Sequence, residues 1–230
     1  MASEARWLPL ESNPDVINKY LVNIGIPKEW SCVDIYGFDA DLLAMVPKPV
    51  VAVFMLFPVT EKYESLKKEE EEKLKGSSIP SGLFFMHQHI SNACGTIALI
   101  HGLANNSDKI KIGSDSIFKN FLDSAKDGEP SSISKILEAN KAMVEAHETS
   151  AEQGQTQAPS RDEKIDLHFV CLVNVNGKIY ELDGRKAFPI DHGASSPDSF
   201  LEDAAAICKK FMAIEPDNVR FNAMALVKNA

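Results

Sequence analysis

The chain has 230 residues, 44% hydrophobic and 25% charged, enough to bury roughly 70% of its extended surface without a disulfide or metal staple. Its 24 basic and 33 acidic side chains give a formal charge of −9, which argues against nonspecific binding to nucleic acid or anionic membranes and suits a basic partner. Cys32, Cys94, Cys171 and Cys208 are well separated and form no CxxC pair, so they read as reduced thiols.

MASEARWLPL lacks the basic and then apolar regions of a signal peptide. The longest apolar run, Val50–Phe57, is far short of the roughly 20 residues of a membrane helix. The expectation is a cytoplasmic protein, small enough to enter the nucleus by diffusion. Asn13, Pro14 and an apolar face from Val16 to Ile24 predict a first helix ending before Gly25. Trp30–Tyr36 reads as a short strand. Asp39 or Asp41 opens a helical turn that Pro47 and Pro49 close, and Val50–Phe57 follows as a strand covered on both faces.

Glu61–Lys75, EKYESLKKEEEEKLK, reads as a solvated helix supported by Glu/Lys spacing. Leu83–Met86 reads as extended, and Ala93–Ala104 as an almost wholly apolar helix capped by Ser91 or Asn92. Helices are predicted over Ser116–Ser124 and Ser132–Glu148. Residues 148–164 carry no apolar side chain larger than alanine except the proline ring and read as a long loop. Strands follow at Leu167–Val175, Lys178–Leu182, Ala187–Ile190 and Val219–Val227, with a helix over Ser199–Met212. Doubly apolar strands need helices on both sides of the sheet, and a hairpin makes it at least partly antiparallel.

If Asn176-Gly177 is a two-residue turn, opposed residues sum to 353, so Val170 faces Asp183 and His168 faces Arg185. His168 and Asp183 become diagonal neighbours on one face, close enough for a hydrogen bond, while Phe169, Cys171, Val173, Tyr180 and Leu182 form an apolar opposite face. The pair reads either as a structural bond at a strand end or as a catalytic base with its orienting acid. Cys171 reads as a core hydrophobe.

Cys94 differs because it lies at a helix start, where unpaired amides and the helix dipole favour a thiolate. Gly95 beside it leaves room for a substrate backbone. A buried packing thiol is the plain alternative; the His168–Asp183 pair shifts the balance toward a nucleophile with its base, in the chain order of papain-type acyl-transfer enzymes. Gln88 precedes it by six residues, and its amide and the Cys94 N–H could donate to an oxyanion, although a surface glutamine is the commoner explanation.

QHISNACGTIALIH, DLHFV and YELDGRKAFPI closely resemble the ubiquitin carboxyl-terminal hydrolase family of papain-like thiol proteases, in its short single-domain form. The resemblance runs from RWLPLESNPDV to RFNAMAL and so spans essentially the whole chain. It implies a Cys94 nucleophile, a His168 base, Asp183 orienting it and Gln88 in the oxyanion hole. It also implies an α+β, papain-like cysteine protease fold, whose central, mostly antiparallel β-sheet is flanked by helices on both faces. Residues 1–230 would be one catalytic domain, a cysteine-type omega peptidase, with 147–165 crossing the active site. The implied substrate is ubiquitin, and NEDD8 for some members, carrying small or unfolded groups on its C-terminal glycine.

No cofactor, metal, nucleic acid or membrane is expected, and the chain is expected to be a monomer. His87 and His89 could share a strand face, but a third convincing metal ligand is absent. His101, His147 and His192 receive no catalytic assignment. A noncatalytic ubiquitin-binding protein is the other reading, against which the intact four-residue set argues.

Overall fold

The structure, a computed structural model, describes residues 6–155, 159, 163 and 165–229. Among them, β1 (Trp30–Asp34), β2 (Val50–Pro58), β3 (Leu167–Val175), β4 (Lys178–Leu182), β5 (Ile190–Ala194) and β6 (Asn222–Lys228) form one sheet in the order β1-β6-β2-β3-β4-β5. Every pairing is antiparallel. The apolar β2 lies between β6 and β3, where both faces are covered. Asn176 and Gly177 adopt φ of +53° and +76°, the left-handed pair that a tight two-residue hairpin requires, and the register pairs Val175 with Lys178 through Cys171 with Leu182. That is the register expected from the sequence.

Alternation along β3 divides the interior. Phe169, Cys171 and Val173 enter a core shared with α1 (Pro14–Asn23), α4 (Cys94–Ala104), α5 (Ile117–Ala125), α6 (Pro130–Ala139) and α7 (Lys141–Ala151). Val170 and Leu172 face a second core with α2 (Ala40–Leu43) and α8 (Phe200–Ile214), to which α3 (Glu61–Lys73) contributes Tyr63. Thus the expected α+β sandwich of sheet between helical layers is present.

Several expectations are corrected. The single helix over Ser132–Glu148 is two helices, because Asn140 leaves the helical region (φ −81°, ψ 91°) and turns its side chain to cap α7 at Met143 N–H, 3.1 Å away. Helix α7 continues to Ala151, so the start of the 147–165 stretch is helical; its residues 156–158, 160–162 and 164 lie outside the described residues.

Leu83–Met86 joins no sheet. Side chains of α4 and its C-cap take part of its backbone: Asn105 bonds both polar groups of Phe84, and His101 Nε2 accepts from Met86 N–H. The strand expected at Ala187–Ile190 starts only at Ile190, after Pro189, which has no N–H to donate.

Candidate active site

Cys94 is the first residue of α4, a helix whose residues Gly95 to Leu103 are all buried. Neither Ser91 nor Asn92 caps it; Ala93 occupies that position and offers no side-chain acceptor. Asn92, in the left-handed region at φ +64°, instead sends its amide to the Trp7 carbonyl at 3.1 Å. The helix therefore starts with amides uncovered by a capping side chain, the condition under which its N-terminus can hold negative charge. Gly102 lets α4 sit tightly on β2: an added Cβ would lie 2.8 Å from the Phe54 ring and 3.1 Å from Ala52 Cβ.

At the far end of the β3–β4 ladder, Nε2 of His168 lies 2.7 Å from Asp183 Oδ1. This leaves Nδ1 as the nitrogen for a second partner. Asp183 is fully buried and accepts two further bonds, from Arg185 N–H to Oδ1 at 2.8 Å and from Tyr63 Oη to Oδ2 at 3.0 Å. Burial alone would raise its pKa, but the charge and hydrogen bond of His168, the Arg185 N–H and the Lys186 charge hold it well below the ordinary carboxylate range.

Burial would likewise lower His168, yet Asp183 and the Cys94 sulfur outweigh it and raise the imidazole to about 9. Burial would raise the Cys94 thiol, but the adjacent His168 and the N–H groups of Phe169 and Gly95 bring it below the usual thiol value. Cys32, Cys171 and Cys208 move the other way through burial, Cys208 to about 12. Of the four thiols, only Cys94 is half-buried and brought below its usual value, beside the imidazole of His168.

Two cavities meet at Cys94. One, of about 410 Å³, is walled by Leu10, Leu56, Phe169 and Phe221; the other, of about 760 Å³, is lined by Glu61, Glu64, Gln88, His168 and Arg185. Gln88 is thus brought to the same cleft as Cys94 and His168. Its backbone N–H is anchored at 2.7 Å on the Gly184 carbonyl, and its Nε2 lies 3.3 Å from the Ile90 carbonyl. The arrangement supplies an activated thiol, a proton acceptor oriented by a carboxylate, and donors near the sulfur.

The family model for ubiquitin carboxyl-terminal hydrolase, family 1, matches residues 7–213. The chain belongs to this family. It is 49% identical over 220 residues to the ubiquitin carboxyl-terminal hydrolase of Aplysia californica, covering 94% of this chain and 100% of that one. It is 42% identical to the human ubiquitin carboxyl-terminal hydrolase isozyme L1, covering 96% and 98%. The solved catalytic domain of Trichinella spiralis UCH37, bound to ubiquitin vinyl methyl ester, superposes with a TM-score of 0.77 at 26% identity, covering 99% of both chains.

Three further histidines of this family 1 hydrolase are held by packing or hydrogen bonds. His101 is buried and stacked on Phe85, and desolvation lowers it to about 4, so it stays neutral. His147 bridges Thr96 Oγ1 at 2.7 Å and the Leu8 carbonyl at 2.6 Å. His87 spans Ser131 Oγ and the Ala187 carbonyl.

Sequence reasoning missed the contribution of α3. Tyr63 is its one buried residue and bonds Asp183, while Glu64 pairs with Arg185 and Glu70 with Lys186. A single aromatic residue inside a fifteen-residue charge run was the available signal. Lys186 also pairs with Glu181, which His192 contacts at 2.9 Å, a buried charged cluster with no sequence signature.

Proposed function

We propose that this chain is a deubiquitinating thiol hydrolase that releases groups from the C-terminal glycine of ubiquitin. The carrying observation is the series Cys94, His168 and Asp183, with the thiol brought below its ordinary pKa where two cavities meet. Family membership and a structural neighbour bound to ubiquitin vinyl methyl ester support ubiquitin as the partner.

In this reading the Cys94 thiolate attacks the glycine carbonyl. The oxyanion forms beside the uncapped α4 amides and Gln88, and collapse breaks the bond to the leaving group as His168 supplies its proton. Water deprotonated by His168 then hydrolyses the thioester, regenerating the thiol and free ubiquitin. Because the acid must reach the leaving atom, the larger polar cavity, which His168 lines, takes the leaving group, and the apolar one takes the substrate tail.

The finer parts of the proposal are small or unfolded leaving groups, NEDD8 as a second substrate, and a monomer of one catalytic unit over residues 1–230. They include 147–165 crossing near the cleft and placement in the cytoplasm with access to the nucleus. The four free cysteines support a reducing compartment. Among the described residues no helix is long and apolar enough to cross a membrane, and no cluster of three His, Cys, Asp or Glu side chains could hold a metal. Ubiquitin vinyl methyl ester, followed by peptide mapping, should label Cys94 alone; an adduct on Cys171, or none, would overturn the assignment.

A further inference from the structure

The highly charged α3 places one apolar ring into the second core, and that ring ends on the carboxylate behind the base. Tyr63 is 3% exposed, and its hydroxyl lies 3.0 Å from Asp183 Oδ2. The other two bonds to Asp183, from His168 and from Arg185 N–H, both fall on Oδ1. Two donors on one oxygen fix a pivot; they leave the carboxylate plane free to turn about it. Among the described residues, only the Tyr63 contact engages the second oxygen, in a site with no exposed surface on Asp183. A buried carboxylate oxygen that lost this donor would have no water to replace it.

We propose that Tyr63 is a positioning residue for the hydrolysis. By fixing Oδ2 it sets the plane of Asp183, and through Asp183 the orientation of the His168 ring toward Cys94. The inference rests on the catalytic reading of those three residues given above.

Tyr63 is itself held in place from several directions. Thr60 caps α3 through the Tyr63 N–H at 3.2 Å, which fixes the first turn. Its ring packs at 4.8 Å against Phe57, which in turn meets the His168 ring edge-on at 5.9 Å. Glu64 on Arg185 and Glu70 on Lys186 clamp the same helix to the turn that follows Asp183. Burial and the neighbouring Asp183 and Glu181 charges push the Tyr63 hydroxyl well above the ordinary phenol range, so it keeps its proton and donates.

The test is a double-mutant cycle in the full chain with Tyr63→Phe and Asp183→Asn. Two readouts are followed: turnover of a ubiquitin C-terminal amide, and alkylation of Cys94 by iodoacetamide without ubiquitin, mapped by mass. Tyr63→Phe should lower kcat about tenfold with KM nearly unchanged, and should slow alkylation about fivefold. In the Asp183→Asn background the same change should alter either rate by less than about twofold, because the carboxylate it acts through is gone. Placing 4-aminophenylalanine at position 63, whose N–H can still donate, should restore most of the lost kcat.

Effects that multiply with those of Asp183→Asn, a change confined to KM, or wild-type rates in a folded Tyr63→Phe would overturn the proposal. If Tyr63→Phe does not fold, failure of the 4-aminophenylalanine protein to approach wild-type kcat does so. The alkylation arm separates the two readings. A fast-reacting Cys94 in a protein that cleaves no ubiquitin amide would sink the substrate assignment while leaving the role of Tyr63 measurable.

Discussion

Cys94 and the His168–Asp183 pair reach one cleft from opposite faces of the sheet, and the two sides are built by different physics. On the first face, α4 is apolar along its length and is seated by packing against β2 and β3. On the second, His168 and Asp183 are oriented by hydrogen bonds, with a charged helix clamped over them. Close packing fixes where a backbone lies, which is what a thiol at a helix N-terminus needs. An imidazole must in addition be turned correctly about its own axis, and directional bonds do that.

Removing the sulfur should have the largest effect. Cys94→Ala should abolish turnover yet still bind ubiquitin, as checked by calorimetry, whereas Cys32→Ala, Cys171→Ala and Cys208→Ala should lower Tm and leave the chemistry in place.

Next come changes to the hydrogen-bonded side. His168→Ala should cost roughly 10⁶-fold in kcat, and Asp183→Asn about 10⁴-fold, since an imidazole remains in a less favourable tautomer. The pH profile carries a sign that can be checked. His168 is raised from 6.5 to about 9 in the fold, so its favourable charge is complete below about 6.5 and is lost as pH climbs through 9. Wild-type kcat/KM should therefore fall on an alkaline limb near pH 9. Asp183→Asn should move that limb to lower pH, and a limb that stayed put would mean the carboxylate does not tune the base.

A smaller loss is expected where the two sides touch. Gln88→Ala should cost roughly 10²-fold in kcat through one lost oxyanion donor. Gly184→Ala should cost about tenfold, because a Cβ there would stand 3.0 Å from the Gln88 backbone nitrogen and displace that segment. Unchanged kcat in both would show that the α4 amides suffice.

The smallest change belongs to the packed side. Gly102→Ala forces a methyl against Phe54 and Ala52, an overpacking cost of about 1–3 kcal/mol that the helix gain of about 1 kcal/mol offsets only in part. Tm should fall by a few degrees with kcat/KM little altered.

Much of this was legible in the residues. The Asn176-Gly177 turn set a register that delivered the His168–Asp183 contact, because period-two alternation leaves few choices once the turn is placed. The run at 50–57 announced a central strand by having no polar face. Local rules failed where long-range contacts decide. Asn140 looked like one more helical position until its side chain was seen capping the next helix. Ser91 and Asn92 looked like caps for α4, but the carbonyl of Trp7, far away in sequence, takes the Asn92 amide. Tyr63 was hidden by its neighbours, whose charges dominate any reading of Glu61–Lys75.

The strand order has a consequence for how the molecule is made. Strand β6, made after the other five described strands, sits between β1 and β2, the first two of them. Until it emerges from the ribosome, β2 keeps one row of backbone groups unpaired beside nine residues of almost wholly apolar sequence. The nascent protein therefore carries an open, adhesive edge from the emergence of β2 until that of β6. Loss of a few residues within Asn222–Lys228 would make that exposure permanent, turning a small truncation into a problem of aggregation and quality control more than one of catalysis.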